Sequence, residues 1–348
     1  MKKIYAFSII TFSAILFASC KSEEKMTDFK TLTDNYFKEK NALNPLDATL
    51  NGQSEFNDEL VFEMTDSYRN KRKAFFEKYL NELKSIQKDD LTDEEKNSYD
   101  ILQWEAERGL DLLKQNANLT PINQFEGTHL TMGQFASGES AQPFKTVKDY
   151  ENFLKRMELF SVWVDSAMVY MKKGIQEKVV LPKSLTIKVV PQFEALITPK
   201  VEDNLFYSSC KKFPDNFTKE EKEAISKKYS AAISEKLVPR LQKLIDFMKT
   251  DYLVASRTTS GIGSLKGGND LYKVYVKQWT TTDKTPEQIH QLGLSEVARI
   301  KAEMEKVKEQ VGFKGSIVEF FDFVRNNPEL KPFKSPEEVI SNFERIHK

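Results

Sequence analysis

The residues of this sequence that could ligate a transition metal or act as a strong nucleophile are few. Three histidines, His129, His290 and His347, and two cysteines, Cys20 and Cys210, supply every imidazole and thiol group. A catalytic zinc needs about three protein ligands and an open position for water. No histidine here is followed by glutamate or stands four residues from another histidine, as the His-Glu-x-x-His pattern requires. The chain therefore offers no catalytic residue and no metal site of its own, and we predict that it holds no cofactor.

The surroundings of these residues predict structural roles for most of them. His290 stands beside the apolar stripe of a predicted helix, which favours a packed, hydrogen-bonded imidazole. His129 lies in a long aperiodic segment, 124–143, that we interpret as a loop. Cys210 has no neighbouring histidine, so a partly buried thiol is expected. The glycine-rich segment 255–270 fails the phosphate-loop pattern, because Lys266 is followed by glycine, and we interpret it as a connection between helices.

Cys20 is the one residue for which the sequence predicts a modification. A lysine-containing start precedes an uncharged apolar run, Ile4 to Ser19, which ends directly before this cysteine. This is typical of a signal peptide over residues 1–19. It is similar to the bacterial lipoprotein type, in which the cysteine is acylated and becomes the mature N-terminus. An ordinary signal peptide with an incidental cysteine, and a membrane anchor, are the alternatives, although the run is short for a full span.

Residues 20–26 are interpreted as a lipidated tether. The stretch Lys21-Ser-Glu-Glu-Lys25 resembles the signal that directs lipoproteins of Bacteroidetes-like bacteria to the outer face of the outer membrane. A simple polar linker is the alternative. We therefore expect a cell-envelope protein that contacts the membrane through its lipid, located at the outer membrane and exposed at the surface.

Composition indicates a folded body and excludes one class of partner. Hydrophobic residues make up 40% of the 348 residues and charged residues 30%, which is typical of a globular chain. Lysine plus arginine and aspartate plus glutamate both number 52, and no segment concentrates the basic residues with aromatic ones. Nucleic acid is therefore not expected as a partner.

Signals for helix starts recur along the chain and predict a mostly α-helical fold with few or no strands. A capping hydroxyl is followed three residues later by Glu or Gln at Thr92, Thr218, Thr285, Ser316 and Ser335. Segment 146–174 shows one inward apolar face: Tyr150, Phe153, Leu154, Met157, Phe160 and Val164. Segment 286–311 shows another, which ends at Gly312: Ile289, Leu292, Val297, Ile300, Met304, Val307 and Val311.

Two segments depart from a regular helical pattern in the sequence. The segment 218–251 is expected to kink at Pro239. The run 185–190, Leu-Thr-Ile-Lys-Val-Val, has the composition of a short strand cut off by Pro191. No repeat of 20 to 50 residues is present, so we predict one helical domain over 27–348.

Several stretches resemble the DUF885 family of bacterial proteins. They are 279–305 and 312–340, supported by 44–60 and 146–175, so the resemblance covers the whole mature chain. It implies a helical, zinc-metallopeptidase-like protein whose His-Glu-x-x-His motif lies beyond the helix that starts at Ser335. No position here matches that motif, so no family metal or catalytic residue is transferred. We therefore expect an N-terminal part, incomplete at its C-terminus and inactive alone.

Two functions stay open at this point. The first is the N-terminal portion of a lipid-anchored zinc peptidase that acts on a peptide substrate in its full-length form. The second is a non-catalytic helical lipoprotein of the cell surface with a binding role. A reading frame that continues into a His-Glu-x-x-His helix would favour the first.

Overall fold

The computed structural model describes residues 28–347, so the predicted signal peptide, Cys20 and the tether lie outside the described residues. The chain divides into two compact units, the first ending at Gly268 and the second beginning at Asn269. Both are helical, and within 28–347 the only extended pairing is an isolated bridge between Pro182 and Arg257. The predicted mostly α-helical fold class, with few or no strands, is confirmed.

The first unit is built from ten α-helices with short 3₁₀ and π segments between them. Side-chain caps start many of them. The hydroxyls of Thr92, Thr146 and Thr218 each accept from the backbone N–H three residues on, and each threonine donates its own backbone N–H to the carboxylate of that residue. The helices are α1 (Phe29–Leu43), α2 (Pro45–Leu50), α3 (Asp66–Leu83), α4 (Asp93–Leu113), α5 (Thr128–Ala136), α6 (Val147–Glu177), α7 (Lys183–Glu194), α8 (Lys219–Ala231), α9 (Val238–Phe247) and α10 (Leu253–Ala255).

The core of the first unit forms around α6. The face that periodicity assigned to the interior is buried, apart from Leu154, which is partly buried. Phe153 and Phe160 stack on Phe206, and α6 packs against α8, α9 and the π segment between them. A second apolar cluster joins α1, α3 and α4: Phe29 stacks on Tyr99, and Tyr36 and Phe75 contact Tyr79 edge-on. Together these clusters hold the segments 44–72 and 123–131 in place.

Two sequence interpretations in this unit were wrong. Residues 185–190 are not a strand but lie inside α7, since Thr186, Val189, Val190 and Phe193 are spaced to bury one helical face. Segment 124–143 is not a loop throughout, because it contains α5, which buries Met132 and Phe135. In both places the burial of one helical face outweighed local propensity. The β-branched residues of α7 favour a strand, and the glycines around α5 favour a loop.

Pro239 does not end the long helical segment. It occupies the first turn of α9, directly after a π-helical stretch, Ala232–Leu237. A proline ring clashes with the carbonyl four residues earlier in a regular α-helix. Instead of the predicted kink at this proline, the helix widens into a π-helical turn just before it.

The second unit contains α11 (Gly268–Thr280), apart from its first residue, and α12 (Pro286–Gln310), α13 (Ile317–Asn326) and α14 (Pro336–His347). Thr285 and Ser316 form the predicted capping boxes, and Gly312 ends the α12 turn with φ +75°. At α14 the cap is modified: Ser335 accepts from Glu338 N–H, whereas the Glu338 carboxylate accepts from Lys334 N–H.

The predicted apolar stripe of α12 exists, but much of it is exposed. Val297 is 66% exposed and Val307 48% exposed. On α14, Phe343 is 66% exposed. An apolar groove of about 230 Å³ runs between α12 and α13, where Ile300, Met304 and Phe320 contribute walls.

None of the helices between residues 28 and 347 is both long enough and apolar enough to cross a bilayer.

Candidate ligand-binding pocket

A polar cavity of about 440 Å³ lies in the first unit, where three segments that are distant in sequence meet. The α1–α2 junction contributes Asn44 and Asp47, the start of α3 contributes Tyr68 and Arg72, and the residues before α5 contribute Asn123, Glu126 and Gly127. Glu63, from the irregular segment ahead of α3, completes one wall. Charged groups of both signs therefore line one cavity of a size suited to a small ligand.

The Glu63 carboxylate is held by neutral donors only. Thr128 donates its hydroxyl to one carboxylate oxygen at 2.8 Å, and the Trp163 indole N–H donates to the other at 2.9 Å. Among residues 28–347, no lysine, arginine or histidine nitrogen lies within 4.0 Å of the Glu63 carboxylate oxygens, the distance limit for an ion pair. Burial raises the pKa of Glu63, although both hydrogen bonds oppose that shift. This carboxylate pays a desolvation cost that no internal cation offsets.

The Arg72 guanidinium is the matching positive group. Its central carbon lies over the Phe76 ring, 5.2 Å from the ring centroid, and this cation–π contact helps to hold it in position. No carboxylate in the described part of the chain pairs with it. It also lines a second cavity of about 270 Å³, which adjoins the first at Asn44 and Asp47. The guanidinium thus has hydrogen-bond donors available at the place where two cavities meet.

The pKa of Tyr68 is affected by these charged groups. Its hydroxyl donates to Leu43 O at 2.7 Å, and burial raises its pKa to about 12. Arg72 opposes that increase in pKa, whereas Glu63 and Asp47 add to it. The three ionic groups are therefore close enough to act on the same phenol, and the pocket has both a cationic and an anionic side.

His129 lies on α5 beside the pocket, not in a loop. Its ring stacks on Phe193 with centroids 4.9 Å apart, and burial lowers its pKa to about 4. The Gln192 side chain and the Asn123 backbone partly offset that shift, yet neither ring nitrogen has a hydrogen-bond partner of normal geometry within the described chain. The imidazole is therefore neutral at physiological pH and packed against an aromatic ring.

The other candidate residues do not join this site. His290 is exposed on α12, so the prediction that it is packed was wrong: the apolar stripe beside it is not covered within the described residues. His347 ends α14. Cys210 is buried, and burial raises its pKa to about 12, which agrees with a structural thiol. The segment 256–267 connects helices, organised by Arg257, which donates to Thr259 O and Gly261 O.

No group of three His, Cys, Asp or Glu side chains suited to a metal ion occurs between residues 28 and 347. His129 is enclosed by an aromatic ring and amide groups, and the other two histidines belong to the second unit. The donors present do not fit the zinc site that the family resemblance implies. Neither Glu63 nor Arg72 was identified from the sequence; the only hint was Trp163, whose buried N–H needs an acceptor.

The raised pKa of Glu63 predicts a specific pH dependence of stability. The folded-state pKa lies above the unfolded value near 4.5, so the folded chain binds the proton more tightly. The contribution of Glu63 to stability is therefore fully present below that unfolded value and is lost as pH rises through the folded pKa. The free energy of unfolding of the native chain, relative to that of Glu63→Gln, should fall as the pH rises from about 4.5 toward neutrality.

Urea unfolding of both proteins across that range measures this difference. Glu95→Gln is the matched control, because capping by Thr92 lowers the pKa of Glu95 and the difference should have the opposite slope. A Glu63 difference that does not change with pH would contradict the prediction.

Comparison with known proteins places the fold. The family model described as "Bacterial protein of unknown function (DUF885)" matches residues 45–348. One matching solved structure is "The crystal structure of the putative lipoprotein from Colwellia psychrerythraea", with TM-score 0.72 and 20% identity. That match covers 87% of this chain and 55% of that one, so the chain spans just over half the length of the solved relative. No curated protein matches the chain. Since the family model covers most of its length, the chain belongs to the DUF885 family of bacterial proteins.

Proposed function

We propose that this chain is the N-terminal, substrate-binding portion of a lipid-anchored zinc peptidase of the DUF885 family. In this proposal the pocket around Glu63 and Arg72 binds a peptide, and residues outside 28–347 hold the metal. The reaction class rests on the resemblance of segments 279–305 and 312–340 to the family. The peptide-binding role rests on the pocket.

The observation that carries the binding role is the pair of opposite charges in one cavity. Glu63 and Arg72 line the same 440 Å³ space, and neither has an ionic partner in the described chain. Groups left without partners in this way cost stability, and such costs concentrate at functional sites. A ligand that carries complementary charges would satisfy both.

In this proposal substrate binding and zinc binding belong to different parts of the protein, because the described residues contain no group suited to a metal ion. The residues around the pocket do not supply a zinc ligand set, so no catalytic step is assigned to Glu63, His129 or Arg72. The solved relative is longer than this chain, which leaves room in the whole protein for a separate metal-binding part. The 348 residues alone are then expected to bind substrate without cleaving it.

Reading the coding DNA downstream of residue 348 tests this division. A frame that continues into a His-Glu-x-x-His helix is the expected result. A stop codon directly after Lys348, together with stable accumulation of the 348-residue protein in cells, would contradict the proposal. That outcome would favour the alternative, a non-catalytic surface lipoprotein that uses the same pocket for binding.

The proposal also places the protein in the cell envelope, held by a lipid on Cys20 at the outer membrane and exposed at the surface. Metabolic labelling with a fatty acid should mark the native protein and leave Cys20→Ala unlabelled, since acylation needs the thiol. Cys210→Ala is the control and should label normally, because Cys210 is buried. Equal labelling of the native protein and Cys20→Ala would contradict lipid anchoring.

A further inference from the structure

We propose that Arg72 binds the free α-carboxylate of a short peptide whose positively charged end lies toward Glu63. This inference rests on the proposed peptide-binding role of the pocket and names the substrate class: short zwitterionic peptides with an unblocked C-terminus. No residue of the pocket is assigned a part in bond cleavage.

Arg72 has the chemistry and the position for a carboxylate. A guanidinium presents paired N–H donors in a plane that matches the two oxygens of a carboxylate. The cation–π contact with Phe76, 5.2 Å from the guanidinium carbon to the ring centroid, holds the group in place before any ligand arrives, which reduces the entropy cost of binding. Asp47 lines both adjoining cavities with Arg72 but forms no ion pair with it. The donors therefore remain available to a ligand.

The charges around Arg72 select against a simple anion. Asp47, Glu63 and Glu126 line the same cavity, so an inorganic phosphate would meet three carboxylates for one guanidinium. A ligand that brings its own positive group turns that repulsion into attraction. Glu63 is the best placed of the three to receive it, because its oxygens are fixed by Thr128 and Trp163, and burial raises its pKa in the absence of a cation.

The dimensions favour a short peptide. The main cavity holds about 440 Å³ and the adjoining one about 270 Å³, with Arg72 lining both. The main cavity lies in the range of small-ligand sites, about 300–1,000 Å³, and the adjoining cavity is slightly smaller than that range. A ligand of a few residues fits, with its carboxylate at the junction and its amino end in the main cavity.

Calorimetric titration of the full chain, purified in detergent, tests the inference. The probes are trialanine, trialanine with a C-terminal amide, N-acetyl-trialanine and inorganic phosphate. We expect trialanine to bind about 10- to 100-fold more tightly than its amide, the loss that follows removal of one charged hydrogen-bonded partner. N-acetyl-trialanine should also bind more weakly, and phosphate should not compete.

Variants of α3 locate the effect. Arg72→Gln should abolish the preference for trialanine over its amide. The control Lys71→Gln changes the neighbouring, exposed residue and should leave that preference unchanged. Arg72→Lys should retain part of it, since it keeps the charge and loses the paired donors. Circular dichroism confirms that each variant is folded.

Equal affinity for trialanine and its amide, an unchanged preference in Arg72→Gln, or binding of phosphate in place of the peptide would each overturn the inference. The proposed peptidase function fails separately. If a longer form of the protein cleaves C-terminally amidated peptides as fast as free ones, the inference fails and the peptidase function stands. If trialanine binds as expected but the longer form cleaves nothing, the peptidase function fails and the inference stands.

Discussion

Replacing Arg156 with alanine is expected to destabilise the first unit by several kcal/mol. The Arg156 side chain is fully buried in α6, where its Nε donates to Glu59 O at 2.9 Å. Its terminal nitrogens donate to Gln142 Oε1 at 2.6 Å and Thr49 Oγ1 at 3.0 Å. They also reach the backbone carbonyls of Pro45 and Phe56. Within residues 28–347 no carboxylate forms an ion pair with it, and burial lowers its pKa to about 10.

The size of the effect follows from the groups that alanine would leave behind. Each buried acceptor that loses its donor costs about 1–3 kcal/mol, and the vacated volume adds a packing loss. Several such costs together approach the total stability of a domain, about 5–15 kcal/mol. The bonds also fix the segment from Pro45 to Glu59 against α6, and this segment joins the walls of the pocket. Arg156→Ala should therefore weaken ligand binding as well.

Urea unfolding followed by circular dichroism measures the stability effect. Lys155→Ala is the matched control on the same helix: the Lys155–Asp58 pair is exposed, at 2.8 Å, and should contribute less than about 1 kcal/mol. If Arg156→Ala were within about 1 kcal/mol of the native chain, this account of the segment's anchoring would be wrong.

The parts of the fold that could be predicted from sequence are those that local signals determine. The capping boxes at Thr92, Thr218, Thr285 and Ser316 form where the spacing of a hydroxyl from a Glu or Gln three residues later predicted them. The buried face of α6 follows from its period. These features need only residues within one or two turns, so a linear reading captures them.

The parts that were missed depend on long-range packing. Residues 185–190 have strand-like composition, yet α7 forms because Val189 and Phe193 pack into the core on one side. The interpretation of His290 as packed required a neighbour to cover α12, which sequence periodicity alone cannot supply. For the same reason the pocket could not be predicted. Glu63 and Arg72 line one cavity only because the segments 44–47, 61–72 and 123–131 meet in the fold, and no residue spacing along the sequence indicates that contact.

The second large effect concerns catalysis. Cleavage of a mixed peptide pool, sensitive to a zinc chelator, is expected only from a form of the protein extended to the length of the solved relative. A catalytic zinc needs about three ligands in fixed geometry and a base within hydrogen-bond reach of its water. His129 is neutral but packed on Phe193, and residues 28–347 contain no group of three His, Cys, Asp or Glu side chains suited to a metal ion. The 348-residue chain should therefore bind peptides and leave them intact.

The most direct test of this account is one comparison of metal content and cleavage. The 348-residue chain and the extended form are each purified, supplied with zinc, freed of excess metal and analysed for bound zinc. Each is then incubated with the peptide pool in the presence and absence of 1,10-phenanthroline. The account predicts one zinc and chelator-sensitive cleavage for the extended form, and neither for the 348-residue chain. One zinc per chain with chelator-sensitive cleavage by the 348-residue chain itself would contradict it.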